Sequence, residues 1–342
     1  MKLKLHLLHG AVALFCAGFI AMPAFANPMD ECVLDMFATG GNGLTIGEIK
    51  QACEKSTHQQ VEAKMVGPVE NRLDYDARNT LKPFTLMAHK PNFFMVTYDD
   101  SREDIYNWGY PGGPTASLDN VELQFQISIK TPLAVDLFDQ KIDLYAAYTN
   151  RSFWQAFNDE DQNSSFFRET NHEPEVWVQK RHDIKLPLGF NYKVTGIGFV
   201  HQSNGRAGDH SVNEFALSRS WNRIYANFIV ANGNFVMAFK PWFRIKEKSK
   251  DDDNPDITDY LGHGELRLAY KYKDHTFALM SRNNLESSFS EGAIEASWSF
   301  PLFDYPYVKG YIQYFSGYGE SLADYDQYNN RIGLGIALSD WL

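Results

Sequence analysis

Residues 121–130 read VELQFQISIK and alternate strictly between an apolar and a polar side chain. Because successive side chains of a β-strand point to opposite faces, this stretch predicts a strand with one wholly apolar and one wholly polar face. The same two-residue period recurs at residues 235–245, 265–273 and 332–338. Polar connections rich in Gly, Asn and Asp separate the alternating stretches, as expected of strands joined by turns. The sequence therefore predicts an all-β fold.

The number and composition of these stretches favour a closed membrane barrel. Alternation alone fits a soluble sandwich equally well, since its apolar faces point inward, whereas those of a membrane barrel point outward. Aromatic residues make up 15% of the chain, and several stretches reach the roughly 9 to 11 residues that a spanning strand needs. We therefore predict a transmembrane antiparallel β-barrel of about 12 strands over residues 83–342. A soluble periplasmic β-sandwich is the weakest alternative.

Residues 1–26 have the pattern of a secretory signal peptide, which also favours the barrel. Two lysines open the segment, an uncharged apolar centre follows at residues 10–22, and a small-x-small cleavage site ends it. We expect the mature chain to begin at Asn27. Lipidation of Cys16 fits poorly, because the bulky Phe15 precedes it and the apolar run continues beyond it.

The charge of the exported chain argues against a nucleic-acid partner. Removal of the signal takes away two lysines and no acid, so the formal charge falls from −11 to −13. Nucleic-acid binders need a basic surface, so this acidic balance disfavours that class. No later stretch reaches the about 18 uninterrupted apolar residues of a membrane helix, so strands would have to cross the membrane.

Residues 27–82 differ in composition from the barrel region. Helix-forming residues dominate between Ile46 and Ala63, so we predict a small, partly helical N-terminal extension. Cys32 and Cys53 are the two cysteines left after export, into a compartment that permits disulfides. We expect a Cys32–Cys53 disulfide, with two buried free thiols as the alternative.

The candidate catalytic residues lie in two runs, GFVHQSNGR at residues 198–206 and SRSWNRIY at residues 218–225. His201 and Ser203 are two apart, so on a strand they share a face, where the imidazole could accept the hydroxyl proton. Asn222 on a neighbouring strand could orient that imidazole. By parity all three fall on the apolar, outward faces of their strands. Without further evidence, ordinary interfacial polar residues explain the His-x-Ser spacing as well.

These two runs, with four further motifs in order, closely resemble the bacterial outer-membrane phospholipase A family over about residues 120–342. The further motifs are SSFFRETN at 164–171, KPW at 240–242, DDNPDI at 252–257 and, near the end, SGYGESL at 316–322. The resemblance implies a hydrolase of membrane phospholipids that acts at either acyl position and on lysophospholipids. It implies Ser203 as nucleophile, His201 as general base and Asn222 as the residue that orients His201.

The resemblance also implies an activating calcium ion (Ca2+) at the interface of an active homodimer in the outer membrane. Its ligands would match Ser164, the carbonyl of Arg206 and Ser218, with Asp253 as a further contact. The register among the three consecutive aspartates 251–253 stays open. The loop at residues 207–217 is longer than the family pattern leads us to expect, so a passive or structural barrel without the chemistry is the alternative function.

Overall fold

The computed structural model describes residues 45, 47–49, 52–53, 67–80, 85–101, 118–158, 165–206, 218–248, 252–284, 287, 290–303 and 305–342. The chain divides into two compact units, residues 1–63 and 64–342. In the described ranges of the second unit, the helices are α1 (Pro68–Asn79) and α2 (Ile257–Leu261), and a 3-10 turn covers Pro187–Gly189. Its strands are β1 (Met87–Ala88), β2 (Asn92–Asp99), β3 (Val121–Leu137), β4 (Ile142–Trp154), β5 (Phe167–Lys185), β6 (Asn191–Ser203), β7 (Ser220–Asn232), β8 (Phe235–Ile245), β9 (Gly264–Tyr272), β10 (His275–Asn283), β11 (Gly292–Leu302), β12 (Tyr305–Gly317) and β13 (Asn329–Ser339).

The described part of the first unit begins a helix at a capping box. The Thr45 backbone N–H donates to Glu48 Oε2 at 2.7 Å, and Glu48 N–H reaches Thr45 Oγ1 at 3.4 Å. Such reciprocal bonds satisfy amide groups at the start of a helix, and the bonds from Thr45 hold the pKa of Glu48 below its usual value. Cys53 is buried and disulfide-bonded. The signal region and Cys32 lie outside the described residues.

In the described part of the second unit, β2 to β13 form a closed antiparallel barrel of twelve strands. Each strand pairs with its neighbour in sequence, and β13 pairs back with β2 to close the ring. The additional strand, β1, is only two residues long and pairs with β3 beside β2. The predicted barrel of about 12 strands is confirmed.

The polar faces of the strands point into the barrel and the apolar faces point outward. On β3 the side chains of Glu122, Gln124 and Ser128 are fully buried, whereas Ile127 is 53% exposed. A soluble sandwich would bury the isoleucine and expose the polar residues. The distribution is that of a membrane barrel and contradicts the sandwich alternative.

Ion pairs and hydrogen bonds fill much of the interior. The buried carboxylate of Glu175 accepts hydrogen bonds from the Tyr225 hydroxyl at 2.7 Å and from His89 Nε2 at 2.6 Å, and Lys240 Nζ lies 3.7 Å away. A cavity of about 370 Å³ remains among these and other inward side chains. Buried charges are costly unless they are paired, so this network allows the barrel to keep a polar interior.

Helix α1 lines the same cavity, a placement that the sequence did not predict. Its Asp76 is buried against Lys130 Nζ of β3, and its Glu70 lies 2.6 Å from Lys193 Nζ of β6. Val69 packs with apolar residues from β7 to β10. None of the helices in the described ranges is long and apolar enough to cross a membrane.

Candidate active site

The site lies on β6 and β7 near the end of the barrel where β6 stops at Ser203 and β7 begins at Ser220. His201 and Asn222 are directly opposite each other in the register of these two strands. Their side chains are partly buried, and His201 Nδ1 is 2.9 Å from Asn222 Oδ1. The pair sits on the outward face, because the flanking Phe199 and Ile224 are exposed. The strand neighbours Val200 and Trp221 point inward and are buried.

Ser203 shares the outward face of β6 with His201, two residues away. Its register partners are Ser220 on β7 and His172 on β5. The turn that follows is held by Asn204, whose Oδ1 accepts hydrogen bonds from the backbone N–H groups of Arg206 and Arg219 at 3.3 and 3.1 Å. The structure thus brings Ser203, His201 and Asn222 to one place on the outer wall, as the parity of the sequence predicted.

His172 is a second histidine beside Ser203, and no motif or spacing in the sequence selects it. Its Nδ1 is 2.6 Å from the Tyr148 hydroxyl. A Cβ atom added to Gly205, which has a φ of +64°, would lie 3.3 Å from Cδ2 and 3.4 Å from Nε2 of this ring. The ring therefore lies next to the turn that follows Ser203. Only the pairing of β5 with β6 reveals this neighbour.

Glu247 is the other residue that sequence reasoning missed. Its Oε1 accepts a hydrogen bond from Asn222 Nδ2 at 3.1 Å. The pairing of Asn222 with Ile245 on β8 accounts for this contact, because Glu247 follows two residues later, just beyond the end of the strand. The imidazole, the amide and the carboxylate therefore form a continuous hydrogen-bonded chain.

Two of the four proposed calcium ligands lie together. Ser218 Oγ donates a hydrogen bond to Asp253 Oδ2 at 2.7 Å. The neighbouring Asp252 lies 2.6 Å from Arg244 Nη2, so of these two acids it is Asp253 that contacts Ser218. Asn254 anchors the segment by accepting the Ser220 N–H at 3.1 Å. Asp251 lies outside the described residues.

The other two proposed calcium ligands are the backbone carbonyl of Arg206 and the side chain of Ser164. The side chain of Arg206 turns toward β5, where it donates to the Arg168 carbonyl and lies 3.6 Å from Glu169. Ser164 and the loop at residues 207–217 lie outside the described residues. Over the described ranges, no three His, Cys, Asp or Glu side chains cluster as metal ligands would. The hydroxyl and carboxylate oxygens of Ser218 and Asp253 are nevertheless the hard donors that calcium prefers.

Buried ion pairs brace this end of the barrel. Arg168 is 1% exposed and lies 3.0 Å from Glu122 and 2.7 Å from Asp324. The adjacent Glu169 accepts the backbone N–H of Ala323 at 3.2 Å. Residues of the motif at 164–171 therefore contact the segment just after β12, and they support the wall that carries the site.

Comparisons with known proteins identify the family of the chain. The family model described as Phospholipase A1 matches residues 69–338. The chain is 34% identical over 290 residues to a putative phospholipase A1 of Neisseria meningitidis serogroup B, covering 81% of this chain and 72% of that protein. It is 35% identical over 262 residues to phospholipase A1 of Escherichia coli K12, covering 75% and 83% of the two chains.

Solved structures give the same result. The outer membrane phospholipase A of Escherichia coli superposes with a TM-score of 0.65 at 32% identity, covering 76% of this chain and all of that one. A Salmonella typhi outer membrane phospholipase, solved as a dimer with bound calcium, also gives a TM-score of 0.65 at 32% identity, covering 77% and 96% of the two chains. The chain therefore belongs to the phospholipase A1 family and is a multi-pass β-barrel protein of the outer membrane.

Proposed function

We propose that this protein is a calcium-dependent phospholipase that cleaves acyl esters with a Ser203–His201–Asn222 triad on its lipid-facing wall. The observation that carries the proposal is the 2.9 Å contact between His201 Nδ1 and Asn222 Oδ1, on the same face as Ser203. An oriented imidazole beside a serine hydroxyl is what nucleophilic acyl transfer requires. Polar side chains on a lipid-facing surface are costly, so their position there favours a function.

In the first half of the reaction, the hydroxyl of Ser203 attacks the ester carbonyl carbon of the lipid. Nδ1 of the neutral His201 imidazole holds its hydrogen toward Asn222 Oδ1, so Nε2 is the basic nitrogen that takes the Ser203 proton. When the tetrahedral intermediate collapses, the lysophospholipid alkoxide leaves and receives that proton from His201. The acyl chain remains esterified to Ser203.

In the second half, water releases the acyl chain. His201 removes a proton from the water as its oxygen attacks the acyl-serine carbonyl, and it returns the proton to the Ser203 oxygen as that bond breaks. The products are a fatty acid and the free enzyme. We propose activity at both acyl positions and on lysophospholipids, supported by the resemblance of the site motifs to the family.

Ser218, Asp253, Ser164 and the carbonyl of Arg206 would hold calcium beside the triad. The pairing of Ser218 with Asp253 supports this set, because both offer oxygen atoms at the end of β7 that lies next to Ser203. When bound, calcium would supply positive charge that stabilises negative charge on the ester oxygen. We propose that the active form is a homodimer, supported by the calcium-bound dimer of the Salmonella typhi relative.

His172 is the competing candidate for the general base, since it is the cross-strand partner of Ser203. Cross-strand neighbours lie close enough for their side chains to interact. The partner of its Nδ1, however, is a tyrosine hydroxyl, which can rotate to donate or accept, so it does not impose one tautomer. Asn222 presents its carbonyl oxygen to His201 and thereby favours His201 as the base.

A passive diffusion barrel is the second function that the fold allows. The ion pairs around Glu175 and the position of α1 disfavour it, because both place side chains in the path that a solute would take. Ion conductance without lipid hydrolysis would support this alternative.

The test is fatty-acid release from phospholipid in mixed micelles, with calcium and with chelator. The variant is Ser203→Ala, and the matched control is Ser316→Ala on β12, six strands away around the ring. We expect release that requires calcium in the wild type and the control, and none from Ser203→Ala. Equal release from Ser203→Ala, or no release from folded wild type, would reject the proposal.

A further inference from the structure

We infer that Glu247 is a fourth, positioning member of the hydrolytic site, which fixes the orientation of Asn222 and through it the tautomer of His201. The inference rests on the proposed function and extends it to a residue outside the motifs that carry the family resemblance. The observation is the 3.1 Å hydrogen bond from Asn222 Nδ2 to Glu247 Oε1, made by the same amide whose oxygen contacts His201.

The hydrogen-bonding capacities of the three groups determine the direction of the chain. An ionised carboxylate can only accept, so Glu247 requires the NH₂ group of Asn222 to face it. The amide oxygen must then face the imidazole, and it can only accept, so Nδ1 of His201 must carry the hydrogen. Nε2 is left with a free lone pair for the Ser203 proton. Without Glu247 the amide could rotate by half a turn and present its NH₂ group to His201.

The strand register makes this contact a consequence of the fold. Pairing between β7 and β8 is antiparallel and keeps one register from Asn232–Phe235 to Asn222–Ile245. Two residues beyond Ile245, Glu247 has the same parity and so continues on the outward side that carries Asn222. Its side chain is partly buried, whereas those of the flanking Lys246 and Lys248 are exposed.

Charge is the second contribution of Glu247. Asn222 is neutral, so by itself it cannot offset the positive charge that His201 gains when it takes the Ser203 proton. The carboxylate of Glu247 adds a negative charge one hydrogen bond further away. At the edge of a hydrocarbon layer such a charge is less screened than in water, so it acts at longer range. Polarised hydrogen bonds in a chain also strengthen one another.

The first test compares kcat and KM for wild type, Ser203→Ala, Glu247→Ala and Glu247→Gln, with Glu291→Gln as the matched loss of a carboxylate on another loop. We expect Glu247→Ala to lower kcat about tenfold with KM unchanged, the loss expected when a hydrogen bond to a charged group is removed. Glu247→Gln keeps an acceptor but loses the charge, so its kcat should be intermediate. Glu291→Gln should match the wild type.

The second test asks whether Glu247 acts through Asn222. In the Asn222→Ala background, Glu247→Ala should cause no further loss, because the connection is already broken. Asn222→Asp would face one carboxylate with another, and combining it with Glu247→Gln restores a donor between the two side chains. We expect the combined variant to recover about tenfold in kcat over Asn222→Asp alone. This recovery is independent of whether Glu247→Ala folds well.

The outcomes separate the inference from the proposed function. Wild type that is no more active than Ser203→Ala would remove the proposed function and the inference with it. A calcium-dependent, Ser203-dependent wild type with a Glu247→Ala kcat within twofold would overturn the inference alone. An equal loss from Glu247→Ala in the wild-type and Asn222→Ala backgrounds, or no recovery in the combined Asn222→Asp and Glu247→Gln variant, would also overturn it.

Discussion

The imidazole of His201 and the amide of Asn222 face each other across β6 and β7, with 2.9 Å between Nδ1 and Oδ1. Because the two residues are register partners, their relative position is set by the backbone ladder of the barrel. Such a site is built on rigid elements, and its geometry should survive changes in the surrounding loops. Catalysis should therefore depend sharply on these two side chains.

The two histidines beside Ser203 should contribute very differently to hydrolysis. We expect His201→Gln to lower kcat by roughly 10² to 10⁴-fold, the usual contribution of a general base. His172→Phe keeps an aromatic ring at a partly buried position, and we expect a loss of less than about tenfold, because it removes the hydrogen bond between the imidazole and the Tyr148 hydroxyl but keeps the ring. Steady-state kinetics in micelles measures both. A larger loss from His172→Phe would make His172 the base.

Ser218 and Asp253 should set the calcium requirement. Each of the substitutions Ser218→Ala and Asp253→Asn should raise the calcium concentration that gives half-maximal activity, because each weakens the set of oxygen ligands. We expect an increase of about tenfold or more, equivalent to about 1.4 kcal/mol of binding. The exposed Asp259 gives a control, and Asp259→Asn should leave the midpoint unchanged. Calcium titrations by activity and by calorimetry should agree; an unmoved midpoint in both primary variants would contradict the assignment.

Gly205 should be required for activity as well as for backbone conformation. Its φ is +64°, and an added Cβ would lie 3.3 Å from the His172 ring. Gly233 has a similar φ of +54° but nothing within 4 Å of an added Cβ. Both Gly205→Ala and Gly233→Ala should cost about 1–2 kcal/mol of backbone strain. Only Gly205→Ala should also lower kcat, since it pushes on the turn next to Ser203. Equal activity of the two variants would remove this distinction.

Arg168 should matter for stability. It is buried between Glu122 and Asp324, so Arg168→Met would leave two buried carboxylates without their cation. Removing one partner of a buried pair costs on the order of 3–5 kcal/mol in the free energy of unfolding. Denaturant unfolding of the folded barrel measures this, with Lys273→Ala in the exposed β9–β10 turn as a control that should change little. A loss below about 1 kcal/mol for Arg168→Met would show that the acids are compensated elsewhere.

Much of the barrel could be predicted because the period of a strand is fixed by its geometry. Ile127 and Gln124 lie on opposite faces of the strand. Knowing whether lipid or water surrounds the barrel therefore determines which face of the whole strand points outward. Helix α1 escaped prediction because few of its residues are apolar. Tertiary contacts such as Asp76 with Lys130 stabilise it, and they have no local signal.

The site could be predicted only in part. Parity and resemblance selected His201, Ser203 and Asn222. The register between β6 and β7 could not be predicted, because the connection at residues 204–219 is too long for residues to be counted from a tight turn. Glu247 is a different case. The two-residue turn between Asn232 and Phe235 begins with a glycine, a signal for a tight hairpin. Counting back from that turn places residue 245 opposite Asn222, and so brings Glu247 near it.

The assignment of Ser203 as nucleophile is tested most directly by identifying the residue that a serine-reactive, lipid-like phosphonate modifies. The folded protein would be treated with this reagent in micelles containing calcium, digested and mapped by mass spectrometry. We expect one adduct, on Ser203, with hydrolysis lost in proportion to labelling and little labelling in His201→Gln. Full modification of another residue, or hydrolysis that persists after Ser203 is fully labelled, would rule out Ser203 as the nucleophile.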